Sequence, residues 1–201
     1  MRSVLTTLTA ALLLCATATA APAMTPTETV KSRVEAALRN LGRSPATTAA
    51  SVEQRRADLR RAADSLFDFT EMGRRALGRH WADRTPAERE EFVKLFTDLI
   101  ARSYIGKIDH YAGETIAYTS ERVDGDEASV QSRVVTAKGS QIPVEYRLHR
   151  INDGWSAYDV FVENVSLVGT YRSQFDRIIR SESFAALVQR LRDKGQVADA
   201  R

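Results

Sequence analysis

The chain has one cysteine, at position 15, so no intramolecular disulfide can form and nothing beyond that position can act as a thiolate nucleophile or thiolate metal ligand. Histidine is scarce too, and His80, His110 and His149 show no local spacing that fits a zinc site. There is no G-x-S-x-G elbow, no glycine-rich phosphate loop and no H-E-x-x-H. VDGDEAS lacks the spaced ligands and terminal glutamate of a calcium loop and reads as a hairpin turn. An excess of one charge is also missing. The 29 Lys and Arg residues face 26 Asp and Glu, and a formal charge of +3 gives no footprint for nucleic acid. Outside residues 4–15, no stretch approaches the roughly 20 apolar residues of a membrane helix.

What is present begins with a leader. Arg2, the apolar run over 4–15 and the small residues Ala18 and Ala20 fit a secretory signal peptide over residues 1–20. Its removal leaves 181 residues, enough for one domain with a sizeable core. Export without disulfides points to a bacterial periplasm. Residues 21–27 (APAMTPT) read as a flexible leader, 28–195 as a single domain and 196–201 as a flexible tail.

Helical spacing comes first within the domain. Val30, Val34, Ala37, Leu38 and Leu41 mark a helix from Glu28 that ends at Gly42 and Pro45, and a second spans Val52 to Phe67. FDFTEMGRRALGRHW reads as a short helix between two turns. Thr85, Pro86 and Glu88 form a capping box that opens a long helix with a wide apolar stripe, ending near Gly113. The period then changes to 2 over four segments separated by DGD, KGS and NDG, which predicts four antiparallel strands in sequence order. Pro143 is expected at an edge or bulge. Helical spacing returns from Leu167 to Leu191. This order specifies an α+β fold with helices covering one side of a curved four-stranded antiparallel sheet.

The last strand breaks the expected alternation. Tyr158, Val160 and Val162 are apolar at even positions, and Trp155, Ala157 and Phe161 at odd ones, so both of its faces want cover. Combined with the aromatic stripe of the long helix, this is more apolar wall than a two-layer core needs, and an internal cavity is one way to use it. The arginine groups Arg55, Arg56, Arg60, Arg61 and Arg74, Arg75, Arg79 read as solvated helix faces, with docking to an acidic partner or an anionic membrane as the functional alternative.

FDFTEMGRRALGRHWADRTPAEREEFVKLFTDLIARSYIGKIDHY together with GWSAYDVFVENVSLVGTYRSQFDRIIRSESFAALVQRL resembles the MlaC, or toluene-tolerance, family over roughly Val30 to Leu191. Its most specific pieces are Phe67-Asp68-Phe69, Ala76-Leu77-Gly78 with Trp81, the helix from Phe92 to Tyr104, and Trp155, Tyr158-Asp159 and Val165-Ser166. The resemblance implies a nuclear-transport-factor-like cone with extra helices and an internal apolar cavity. It further implies a periplasmic carrier, without cofactor, that holds phospholipid tails. Such a carrier passes lipid between an outer-membrane lipoprotein complex and an inner-membrane ABC transporter complex, maintaining outer-membrane lipid asymmetry. A related branch is associated with hopanoid-producing bacteria, and a carrier of hopanoid-type lipids is an alternative reading.

On that reading the cavity wall is expected from Val144, Tyr146, Leu148, Val160 and Val162 of the sheet. The long helix would add Phe92, Phe96, Leu99 and Tyr104, and the start of the last helical region Val165, Val168 and Tyr171, with Leu77 and Trp81 from the short helix. A one-residue slip in strand register would exchange the whole sheet set. One alternative is an enzyme on the same cone, using Asp159 and Tyr158 as an acid/base pair, although neighbouring strand residues face opposite ways. Another is an adaptor whose apolar face meets a protein.

Overall fold

The computed structural model describes residues 24–42, 49–108, 114–136 and 138–199. The expected signal peptide, Cys15, His110, Pro45 and the expected end of the long helix at Gly113 lie outside them. Among the described residues there are six α-helices and one five-stranded sheet. The helices are α1 (Pro26–Gly42), α2 (Ala49–Leu66), α3 (Phe69–Leu77), α4 (Pro86–Ile108), α5 (Leu167–Ser181) and α6 (Phe184–Asp199), with a 3-10 turn at Gly78–Trp81. None of these helices is long and apolar enough to cross a membrane. The strands are β1 (Thr115–Asp124), β2 (Glu127–Val135), β3 (Gln141–Ile151), β4 (Gly154–Val162) and β5 (Val165–Ser166), antiparallel and in sequence order.

The fifth strand corrects the expectation of four. Two residues are too short a run to show periodicity, but Val165 pairs with Val162 and Ser166 with Phe161. The helix ends also differ. A second capping box, in addition to the one at Thr85, starts α1 at Pro26 and draws residues 26 and 27 out of the expected leader. The Thr25 N–H donates to Glu28 Oε2 at 2.8 Å, and the Glu28 N–H to Thr25 Oγ1 at 3.2 Å. The Thr27 N–H then donates to Glu121 Oε2 at 2.7 Å, which ties this helix start to β1. At the other end α6 runs to Asp199, into the expected tail.

Pro143 sits in a central strand rather than at an edge. Its carbonyl accepts from the Glu163 N–H at 3.0 Å, just past the end of β4. In an antiparallel strand the N–H and C=O of one residue face the same neighbour, so the missing donor falls where β4 has already turned away.

The doubled apolar pattern of β4 has a local cause. Arg147 pairs with Asp159 and Leu148 with Ala157, which leaves Tyr158 as the extra residue of a β-bulge. Trp155 and Ala157 before the bulge and Val160 and Val162 after it share the face of Val144, Tyr146 and Leu148. Tyr158 turns to the opposite face, where the Arg75 guanidinium lies 3.7 Å from its ring centroid and His149 meets it edge-on.

Two apolar clusters result. One packs Val30 of α1 and Leu66 of α2 on Ala128, Val130, Val144, Tyr146, Leu148, Trp155 and Ala157 of the sheet. The other joins α3, α4, α5 and α6 around Phe92, Phe96, Phe175 and Phe184 and includes Tyr158. Phe92 and Phe96 stack at 5.8 Å, and each meets Phe175 edge-on. Helices α3 and α4 approach closely because Gly73 carries no side chain: a Cβ there would lie 3.0 Å from Val93 Cγ2.

Candidate functional site

A cavity of about 880 Å³ lies between the two clusters, near the upper end of the roughly 300–1,000 Å³ typical of ligand pockets. One wall is the covered face of the sheet, with Ile116, Val134, Ile142, Tyr146, Val160 and Val162. Helices α1 and α2 supply Val34, Ala37, Leu38, Leu59, Ala62, Ala63 and Leu66, and α4 supplies Ile100, Ala101 and Tyr104. Phe67, Phe69, Met72, Val165 and Leu167 complete the apolar lining. Phe67 packs against both clusters, so it bridges them at the cavity wall. The space exists partly because Ala37, Ala62, Ala63 and Ala101 present methyl groups where larger side chains would fill it.

The rim is marked by exposed apolar side chains. Val165 is 62% exposed, Val162 44% and Tyr104 36%, which a closed core would not leave in water. Among the described residues, charge on the lining is confined to Arg33, Arg60, Asp64 and Glu114, and Arg60 is held by Asp98 of α4 at 2.6 Å. Such a wall favours an apolar occupant over a charged one.

Of the residues expected to form the wall, Tyr104, Tyr146, Val160, Val162 and Val165 lie on it. The other nine are placed elsewhere. Leu77, Phe92, Phe96 and Val168 are buried in the helical cluster, and Trp81, Leu99 and Tyr171 pack against it. Val144 and Leu148 belong to the sheet cluster. The reason lies in α4, whose wide apolar stripe serves two neighbours: its aromatic side packs on α5 and α6, and Ile100, Ala101 and Tyr104 look into the cavity. The contributions of α1 and α2 add to the expected wall. Alanines at helical spacing in EAAL and RRAAD were the available signal for them.

At the mouth, β4 turns into β5 through Glu163 and Asn164, both with positive φ, 50° and 65°. Two such residues between paired strands make a type I′ turn. Asp159 anchors the chain on the far side of that turn. Its Oδ1 accepts from the Val160 N–H at 2.8 Å and the Val168 N–H at 3.0 Å, and its Oδ2 accepts from the Ser166 hydroxyl at 2.5 Å. Ser166 in turn caps α5 by accepting from the Gly169 N–H at 2.7 Å. Both oxygens of Asp159 are therefore spent on joining the bulge to the start of α5. Tyr158 shares the outward face with Asp159, which pairs with Arg147, and is engaged by Arg75 and His149. No hydrogen bond joins the two among the described residues.

The arginine groups are largely paired. Arg56 meets Glu53, Arg61 meets Asp58, Arg74 and Arg75 share Glu71, and Arg79 meets Asp176 at 2.5 Å. The hydrogen bond from Arg74, joined by Arg75, holds the Glu71 carboxyl down at about 2. Burial pushes the Tyr146 phenol up to about 12 and that of Tyr118 higher still. Among the described residues no group of His, Cys, Asp or Glu is placed to hold a metal ion.

A family model described as MlaC protein matches residues 31–193. The chain is 24% identical over 124 residues to the intermembrane phospholipid transport system binding protein MlaC of Haemophilus influenzae, a match that spans 59% of this chain and 58% of that protein. Its fold is similar to that of a phospholipid-binding protein from Ralstonia solanacearum solved in complex with a phospholipid. There the TM-score is 0.74 at 27% identity, over 85% of this chain and 97% of the other.

Proposed function

The chain belongs to the MlaC family, and we propose that it is a periplasmic phospholipid carrier that holds acyl chains in the cavity between its two clusters and moves lipid between membranes. The observation that carries this reading is the 880 Å³ of apolar-walled space with an apolar rim. Each methylene withdrawn from water contributes about 0.8 kcal/mol, so one acyl chain of ordinary length gains on the order of 10 kcal/mol. Binding on that scale needs no charged anchor, and the headgroup can stay at the mouth in water. Release into water would face most of the same energy. Delivery therefore requires an acceptor that offers the tails an apolar path, here an inner-membrane ABC transporter complex on one side and an outer-membrane lipoprotein complex on the other. The relatives support this reading: one is named for intermembrane phospholipid transport and another was solved with a phospholipid.

The test is extraction and mass spectrometry of protein purified gently from its own cells. Stoichiometric glycerophospholipid is the expected result. Protein free of lipid overturns the reading, and a polycyclic hopanoid in place of phospholipid would reassign the cargo.

A further inference from the structure

Tyr146 carries a polar atom that finds no hydrogen-bond partner among the described residues. It lines the cavity from the middle of β3, opposite Val160, and is only 8% exposed. The serine and threonine hydroxyls on the same wall are all engaged. Thr97 donates to the Val93 carbonyl at 2.8 Å, Ser166 to Asp159, and Thr170 to the Ser166 carbonyl at 2.7 Å, while Thr136 accepts from the Ser140 N–H at 3.2 Å. The Tyr146 hydroxyl makes no hydrogen bond among the described residues, and it is not one of the unpartnered atoms sealed from solvent, as the Tyr118 hydroxyl is. A hydroxyl that opens onto the cavity can bond water while the cavity is empty, but once apolar tails displace that water it needs an acceptor from the occupant itself.

We propose that Tyr146 donates a hydrogen bond to an acyl ester carbonyl of the bound phospholipid and so selects ester-linked lipid. The depth fits. Val162 at the rim is two residues along β4 from Val160, and at about 3.3 Å per residue Tyr146 sits roughly 7 Å inside the mouth. An ester carbonyl reaches that level when the phosphate remains at the rim and the tails run on between the clusters. With its phenol pushed up to about 12, Tyr146 stays a donor at any physiological pH. A carbonyl oxygen accepts from a phenol well, whereas the oxygen of an ether linkage is a weaker acceptor, so linkage chemistry becomes the selected feature. The inference rests on the carrier reading above.

Competition between linkages tests it. Lipid-stripped protein is mixed with vesicles containing equal amounts of diacyl phosphatidylethanolamine and its dialkyl analogue of equal chain length, and captured lipid is read by mass spectrometry. The wild type is expected to favour the ester roughly three- to tenfold, the range of one neutral hydrogen bond, and Tyr146→Phe to capture both equally. Equal capture by the wild type, or an unchanged preference in Tyr146→Phe, overturns the donor role and leaves the carrier reading standing. Capture of neither lipid by the wild type overturns both. Lipid-free Tyr146→Phe is also expected to melt no lower than the wild type, because it loses an unpartnered hydroxyl. A clear drop in its melting temperature would assign the hydroxyl to the fold and overturn the proposal.

Discussion

Glu163 occupies a backbone conformation that suits it poorly. Asn164, its neighbour in the type I′ turn, tolerates the left-handed region because its short amide can bond locally, but glutamate has no such compensation. Glu163→Asn is expected to raise stability by about 0.5–1 kcal/mol in urea unfolding, with no change in lipid captured. Glu71 makes a different prediction at the same scale. Its folded pKa lies below its ordinary 4.5, at about 2, so the stabilisation is fully present above pH 4.5 and lost as pH falls through 2. The stability difference between wild type and Glu71→Gln, followed by urea unfolding across pH, is expected to be largest at neutral pH and to shrink from pH 4.5 down to 2. A difference that holds constant over that range would contradict the pairing with Arg74 and Arg75.

Elements announced by local chemistry were legible in the sequence. The capping box at Thr85 to Glu88 marked the start of α4, and the period of 2 with DGD and NDG between runs marked the hairpins from β1 to β4. Features set by partners were not. The bulge at Tyr158 depends on how β4 meets β3, and the bare sequence shows it only as a strand apolar on both sides. Likewise, the periodicity of α4 showed that its stripe was wide without telling which part would pack on α5 and α6 and which would face open space. Phe92 and Phe96 look like ideal lining for a cavity, yet aromatic rings gain most where other rings can close around them, and Phe175 and Phe184 do so. The sheet contributed more legible wall residues because one face, once oriented, fixes alternate positions together, as it does for Tyr146, Val160 and Val162.

For the whole molecule, the separation of core from cavity predicts two distinct mutant classes. Val160→Glu sets a charge on the apolar wall and is expected to cut co-purified phospholipid severalfold, because a buried carboxylate without a partner repels the tails. Phe92→Ala removes a ring from the helical cluster and is expected to cost about 3–5 kcal/mol in urea unfolding while the folded fraction still binds lipid. Loss of lipid from both in equal measure would show that cluster and cavity are not separable. Their separation bears on breadth of cargo. Close-packed interiors resist deformation, so on the carrier reading the open space between the clusters, lined by Phe67 that packs on both, is where differences in tail length are expected to be taken up. Phospholipids of longer, shorter or kinked tails are then expected to be captured from mixed vesicles to similar extents, with the melting temperature of the protein showing no preference among them.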